Sequence, residues 1–111
     1  MSTHASNTTE STADSTAQLD VLGDECARTI LVATSGEPRT AKELTDRTDS
    51  SSATVYRRIN NLLESGLLSE CVRFEEDGSH TTAYEATVDT IRVRIDADGI
   101  DVSLLGSAES A

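Results

Sequence analysis

The chain has 111 residues, and its 20 acidic side chains against nine basic ones give a formal net charge of -11. An excess of that size repels nucleic acid at long range and removes any general basic-patch route to it. No run reaches the roughly 18 apolar residues of a membrane span, the start lacks the basic and apolar regions of a signal peptide, and two cysteines without CxxC spacing make no disulfide scaffold. A soluble cytoplasmic protein in a reducing compartment is expected. Eight of the nine cations are Arg, with Lys42 the single Lys. Carboxylate excess with scarce Lys is the pattern of a surface kept hydrated in a salty cytoplasm. One domain of this length buries only about 60 to 65 percent of its unfolded surface, so dimerisation would add stability.

Residues 1–18 (MSTHASNTTESTADSTAQ) are polar and rich in Ser and Thr and are expected to stay disordered; residues 106–111 read as a flexible tail. From Leu19, "LDVLGDECARTILVATSG" sets Leu19, Leu22, Cys26, Ile30 and Ala33 at steps of three or four, which predicts one helix ended by Gly36 and Pro38. "RTAKELTDRTD" predicts a second, short helix capped by Thr40, with Glu43 completing a capping box and Ala41 and Leu44 inward. In the third, Ser50, Ser51 and Ser52 offer N-caps and Val55, Ile59, Leu62 and Leu63 form the apolar stripe. That stripe leaves Ala53, Arg57, Asn60 and Asn61 on the far side, Thr54 and Arg58 at one flank and Tyr56 at the other. Gly66 stands at the left-handed position that closes the helix.

After Leu68 the period changes to two. Val72 and Phe74 alternate with Cys71 and Arg73, and Asp77-Gly78 marks a hairpin turn. In "IRVRIDADGIDVSL" a second hairpin puts Ile91, Val93 and Ile95 on one face with Ile100, Val102 and Leu104, around a turn at Asp98-Gly99. Its register is open: a two-residue loop pairs Ala97 with Ile100, and a four-residue loop pairs Ile95 with Ile100. The order predicts an α+β winged helix-turn-helix: a domain over residues 19–88 with a three-helix core and a wing hairpin, then a C-terminal β-hairpin over 89–105 packing on the domain or on a dimer partner.

The short connection "TDSS" makes a tight helix-turn-helix whose second helix is presented for a major groove. Between Pro38 and Asn60 five cations (Arg39, Lys42, Arg47, Arg57, Arg58) face three acids (Glu43, Asp46, Asp49), so this segment is locally positive in an acidic chain. Through "LGDECARTIL", "TAKEL", "SSATVYRRINNLLESGLL" and "DGSHTTAYEA" the chain resembles the ArsR-like winged helix-turn-helix regulators of haloarchaeal type. The resemblance implies a sequence-specific transcription regulator that binds double-stranded DNA as a homodimer. It places Ser52, Thr54, Tyr56, Arg57 and Arg58 where family members touch DNA. Arg57 with Asn60 or Asn61 would read base edges, Ser51, Ser52 and Arg58 would hold phosphates, and the wing tip with His80 would meet the backbone. The paired cysteines and His/Asp sets of metal-sensing members are missing, so no metal or other cofactor is expected, and no effector pocket can be read.

Thr54 could equally serve the cap, and His80 could be a solvated turn residue. The wing tip "EEDGSH" carries three acids and no Arg or Lys, which argues against a strong minor-groove grip. Cys26 reads as a small buried hydrophobe; Cys71, beside Arg73, is the candidate for a redox-responsive thiolate. With no phosphate loop, no GxSxG or HExxH and two isolated histidines, the sequence reads as a non-enzyme. The competing readings are a winged helix whose acidic surface meets a protein partner in a transcription complex, and a thiol-responsive regulator using Cys71.

Overall fold

The computed structural model describes residues 15–106. Four helices, α1 (Ser15–Leu22), α2 (Glu25–Thr34), α3 (Ala41–Arg47) and α4 (Ser52–Glu64), precede four strands, β1 (Leu68–Phe74), β2 (His80–Ala86), β3 (Thr90–Asp96) and β4 (Gly99–Leu105). The strands make two antiparallel hairpins, β1–β2 and β3–β4. The architecture is the expected α+β winged helix-turn-helix with a second hairpin appended.

The single first helix expected from Leu19 is in fact two. Gly23 N–H donates to Leu19 and Asp20 carbonyls at 3.1 and 3.2 Å, closing α1. Asp24 then takes an extended conformation and caps α2, its carboxylate accepting from Ala27 N–H at 2.8 Å. Spacings of three and four persist across this break, so periodicity alone could not reveal it. The boundary placed at residue 18 also moves. The first helix starts at Ser15, and Gln18 is 2% exposed, its Nε2 donating to the Ser65 carbonyl at 3.0 Å. Residues 1–14 and 107–111, the remainder of the two expected tails, lie outside the described residues.

The core joins helices and strands. Ile30 of α2, Leu44 of α3, and Val55, Ile59 and Leu62 of α4 close on Leu67 and on Val102 of β4, all essentially without solvent exposure. Removing side chains of this size from water is worth about 1.5–3 kcal/mol each, which drives these short helices together. The buried hydroxyls of Thr34 and Ser65 are satisfied by the Ile30 and Leu62 carbonyls at 2.8 and 3.1 Å.

In the wing, β1 and β2 pair from Leu68↔Ala86 to Phe74↔His80. Arg39 adds a third, one-residue rung, exchanging both backbone hydrogen bonds with Tyr84 at 2.8 and 3.0 Å. This rung ties the wing to the start of α3. Val72 and Phe74 are solvent-exposed, whereas Ser69, Cys71 and Arg73 are half-buried. In the second hairpin Ile95 pairs with Ile100 and Asp96 with Gly99, which settles the register. The turn is Ala97-Asp98 rather than Asp98-Gly99: Asp98 N–H donates to Asp96 Oδ1 at 2.8 Å, and Gly99 opens β4 at φ 136. Val102 and Leu104 are buried and β4 packs on α1, while Val93, Ile95 and Ile100 of the same face remain exposed.

Candidate nucleic-acid interface

Local hydrogen bonds fix the angle between α3 and α4. Thr40 and Glu43 form the expected capping box: Thr40 Oγ1 accepts from Glu43 N–H, and the Glu43 carboxylate accepts from Thr40 N–H, both at 3.1 Å. Thr48 ends α3, and its hydroxyl accepts from Ser50 N–H at 3.3 Å. Of the three serines offered as caps, Ser51 serves. Its Oγ accepts from Thr54 N–H at 3.2 Å and donates to Thr54 Oγ1 at the same distance. Thr54 is half-buried and engaged in this cap.

The face of α4 turned away from the core carries Ser52, Ala53, Tyr56, Arg57 and Asn60, all exposed. Tyr56 is 53% exposed, so its ring is largely available to a partner. Among the described residues no ion pair engages Arg57. The neighbouring Arg58 is placed differently from the phosphate contact expected of it. Its Nε lies 3.0 Å from Asp24 Oδ2, with the side chain 25% exposed. The Nε–H is buried and poorly aimed at that oxygen, so the contact is an ion pair more than a hydrogen bond. Asp24 is held below the ordinary carboxylate range, first by Ala27 N–H, which outweighs the opposing effect of burial, with Arg58 adding to the lowering. Asn61, expected on the far side with Asn60, is half-buried and lines a groove of about 420 Å³ with Arg58, Asp24 and Val21. The pair "RR" therefore splits: one arginine faces solvent, and the other pins α4 to the N-terminus of α2.

Sequence reasoning missed Arg73. Its guanidinium grips Glu43 with two hydrogen bonds, Nη1 to Oε1 at 2.9 Å and Nη2 to Oε2 at 2.7 Å, while Nε donates to Glu75 at 3.1 Å. A fork of this kind matches a carboxylate in two places at once. Arg73, with Thr40 N–H, lowers the Glu43 carboxyl to about 2, and the guanidinium itself is pushed above its usual range. One carboxylate thus caps α3 and fastens the wing strand to it. The capping box was legible in the sequence, but nothing local linked Glu43 to a residue thirty positions away.

This network also changes the reading of Cys71. Burial, then the charge of Glu85, pushes its thiol up, and Arg73 opposes them less strongly. The expected thiolate is not favoured, because the arginine's charge is already met by two carboxylates. Cys26 is half-buried and free. At the wing, Phe74 and His80 meet edge to face at 4.5 Å between centroids. Both are exposed, and beyond them lie Glu75, Glu76 and Asp77. Asp77 accepts from Ser79 Oγ–H and N–H, which hold its carboxyl low and keep the tip negative.

Among the described residues no group of His, Cys, Asp and Glu is placed to hold a metal ion, and no helix is long and apolar enough to cross a membrane. Residues 22–71, from the end of α1 to the middle of β1, match a family described as a helix-turn-helix domain. No curated protein matches the chain. The helix-turn-helix match, on a fold that presents α4 after a tight turn, supports a DNA-binding regulator in general terms.

Proposed function

We propose that the protein is a sequence-specific transcription regulator of ArsR-like type that inserts α4 into the DNA major groove and acts as a homodimer in the cytoplasm of a salt-adapted archaeon. The observation that carries this reading is Arg57: a cation without an ion-pair partner among the described residues, on the exposed face of a capped helix, in a chain of charge -11. Arg57 reads a base edge, as an arginine does bidentately at guanine O6 and N7, and exposed Asn60 suits adenine N6 and N7. Ser51 and Ser52 lie at the α4 N-terminus, where hydroxyls and the helix dipole favour a phosphate. Tyr56 flanks the groove. Arg58 and Asn61 support the helix from behind, and Thr54 serves the cap. His80, edge to face with Phe74 next to three acids, contributes a marginal backbone contact.

A mobility-shift titration on genomic upstream fragments tests this reading, with Arg57→Ala beside the parent. Specific retention by the parent and its loss in the variant is the expected outcome. Equal retention of all fragments by both proteins would refute it.

A second reading draws on the wing. Val72 and Phe74 are both exposed on one face beside an acidic tip, a surface better suited to a basic protein partner than to phosphate. On this reading the wing would recruit a component of a transcription complex while α4 holds DNA. The raised Cys71 thiol lends no support to the thiol-responsive alternative.

A further inference from the structure

The exposed half of the C-terminal hairpin runs into a groove. Val93, Ile95 and Ile100 share the apolar face of β3–β4 and are exposed, Ile95 by 73%. At the base of the same strand Ile91 helps line a groove of about 440 Å³ with Leu31, Val32, Ala86 and Val88, and Ser35, Asp89 and Thr90 complete its wall. Val32 is 74% exposed, an unusual placement for a valine in the middle of a helix. Past Val32, on the outer side of α2, Arg28 and Arg47 line a second hollow together with Glu25. No ion pair engages either arginine among the described residues, and Arg28 Nη1 donates to the Leu22 carbonyl at 2.9 Å. The hairpin tip has the opposite character, with Asp96 and Asp98 exposed beside Ile95.

We propose that the groove is filled by the hairpin tip of a second copy of this chain, reciprocally, about a two-fold axis. The proposal rests on the homodimer reading above and names its interface. A two-fold contact is self-complementary, so the knob and the hole must lie on the same chain, as they do here. Ile95 and Ile100 at the exposed tip of one copy then pack on Ile91 and Val32 of the other, while Val102 and Leu104 stay covered within their own chain. Asp96 and Asp98 then point toward Arg28 and Arg47 of the second copy, an acidic tip on cations that no ion pair engages among the described residues. Neither other occupant suits the surface. Residues 1–14 contain no Leu, Ile, Val or aromatic residue, and an apolar ribbon with an aspartate tip repels phosphate.

Multi-angle light scattering on the full chain in dilute and molar potassium chloride tests the interface, with Ile95→Glu and Val32→Glu as the variants and circular dichroism to verify their fold. Both sites are exposed, so the monomer should tolerate the change. The parent should run at twice the 11.8 kDa chain mass, and each variant should lose dimer affinity by at least about tenfold. Asp98→Arg should weaken the dimer in dilute salt, and adding Arg28→Asp should restore it. If a variant loses its helical signal, mixed single variants Val32→Cys and Ile95→Cys, both carrying Cys26→Ser and Cys71→Ser, replace it, and oxidation should join one to the other. Undiminished dimers in both glutamate variants, or failure of the cysteine pair to cross-link, would overturn the interface and leave the homodimer standing. A parent that is monomeric throughout would overturn both.

Discussion

Two adjacent arginines of α4 have different roles because a helix turns about 100° per residue. On the proposed reading, Arg57→Ala lowers affinity for the specific site by about 1–3 kcal/mol and relaxes preference at one base position. Arg58→Ala should act on the fold. Its pair with Asp24 is a quarter to a third exposed, so after discounting for solvent the loss is about 0.5–1 kcal/mol. Thermal unfolding and DNA titration on the same two variants separate these effects: Arg57→Ala moves affinity alone, and Arg58→Ala moves the melting temperature. Glu43 gives a pH signature. Its carboxyl sits at about 2 in the fold against an ordinary 4.5, so the folded state binds its proton less readily than the unfolded chain does. Its contribution is complete above pH 4.5 and is lost as pH falls from there to about 2. Glu43→Gln should therefore melt lower than the parent by a constant margin at pH 6 to 8, and the margin should close between pH 4.5 and 2. A margin independent of pH would mean that the Arg73 fork does not stabilise the wing.

Among the elements, the helix ends depend on backbone conformations that few residues adopt. Gly66 follows α4 at φ 83, and a Cβ added there would meet Leu104 Cδ1 at 3.8 Å, an ordinary contact. The cost of Gly66→Ala is therefore one of backbone conformation, about 1–2 kcal/mol, and urea unfolding should show a lower midpoint with an unchanged slope. Such signals are local, and local signals were legible. The Thr40–Glu43 box, the serine cap of α4, Gly66 and both hairpins follow from residues within a few positions of each other. The break at Gly23-Asp24 was masked because Leu19, Leu22 and Cys26 keep helical spacing across it, although "GD" before "ECAR" is a cap signal. Alternation likewise pairs Val72 with Phe74 but does not say which face of the wing meets solvent. The position of Arg58 depended on the cap at that break, and the surroundings of Asn61 on α1, a helix assigned from its sequence partly to a disordered tail. Arg73 with Glu43 needed the whole fold.

At the scale of the molecule, the question is how a chain of charge -11 approaches a polyanion. Ion pairs already engage Arg39, Lys42, Arg58 and Arg73, so few cations remain to displace counterions from DNA. On the proposed reading, the slope of log affinity against log salt is shallow, about -2 to -5 per dimer, where a strongly basic repressor approaches -10. Binding of that kind survives in concentrated salt, because most of its free energy comes from base contacts and shape. A titration series across potassium chloride concentrations checks the slope. The most direct test of DNA reading by α4 is selection of binding sites from a random duplex pool, run in parallel with the parent and Arg57→Ala. The account predicts that the parent enriches a palindrome with half-sites about 10 base pairs apart, and that the variant loses preference at one position of each half-site. A parent pool that remains as random as its input, or a variant that enriches the identical palindrome, would contradict it.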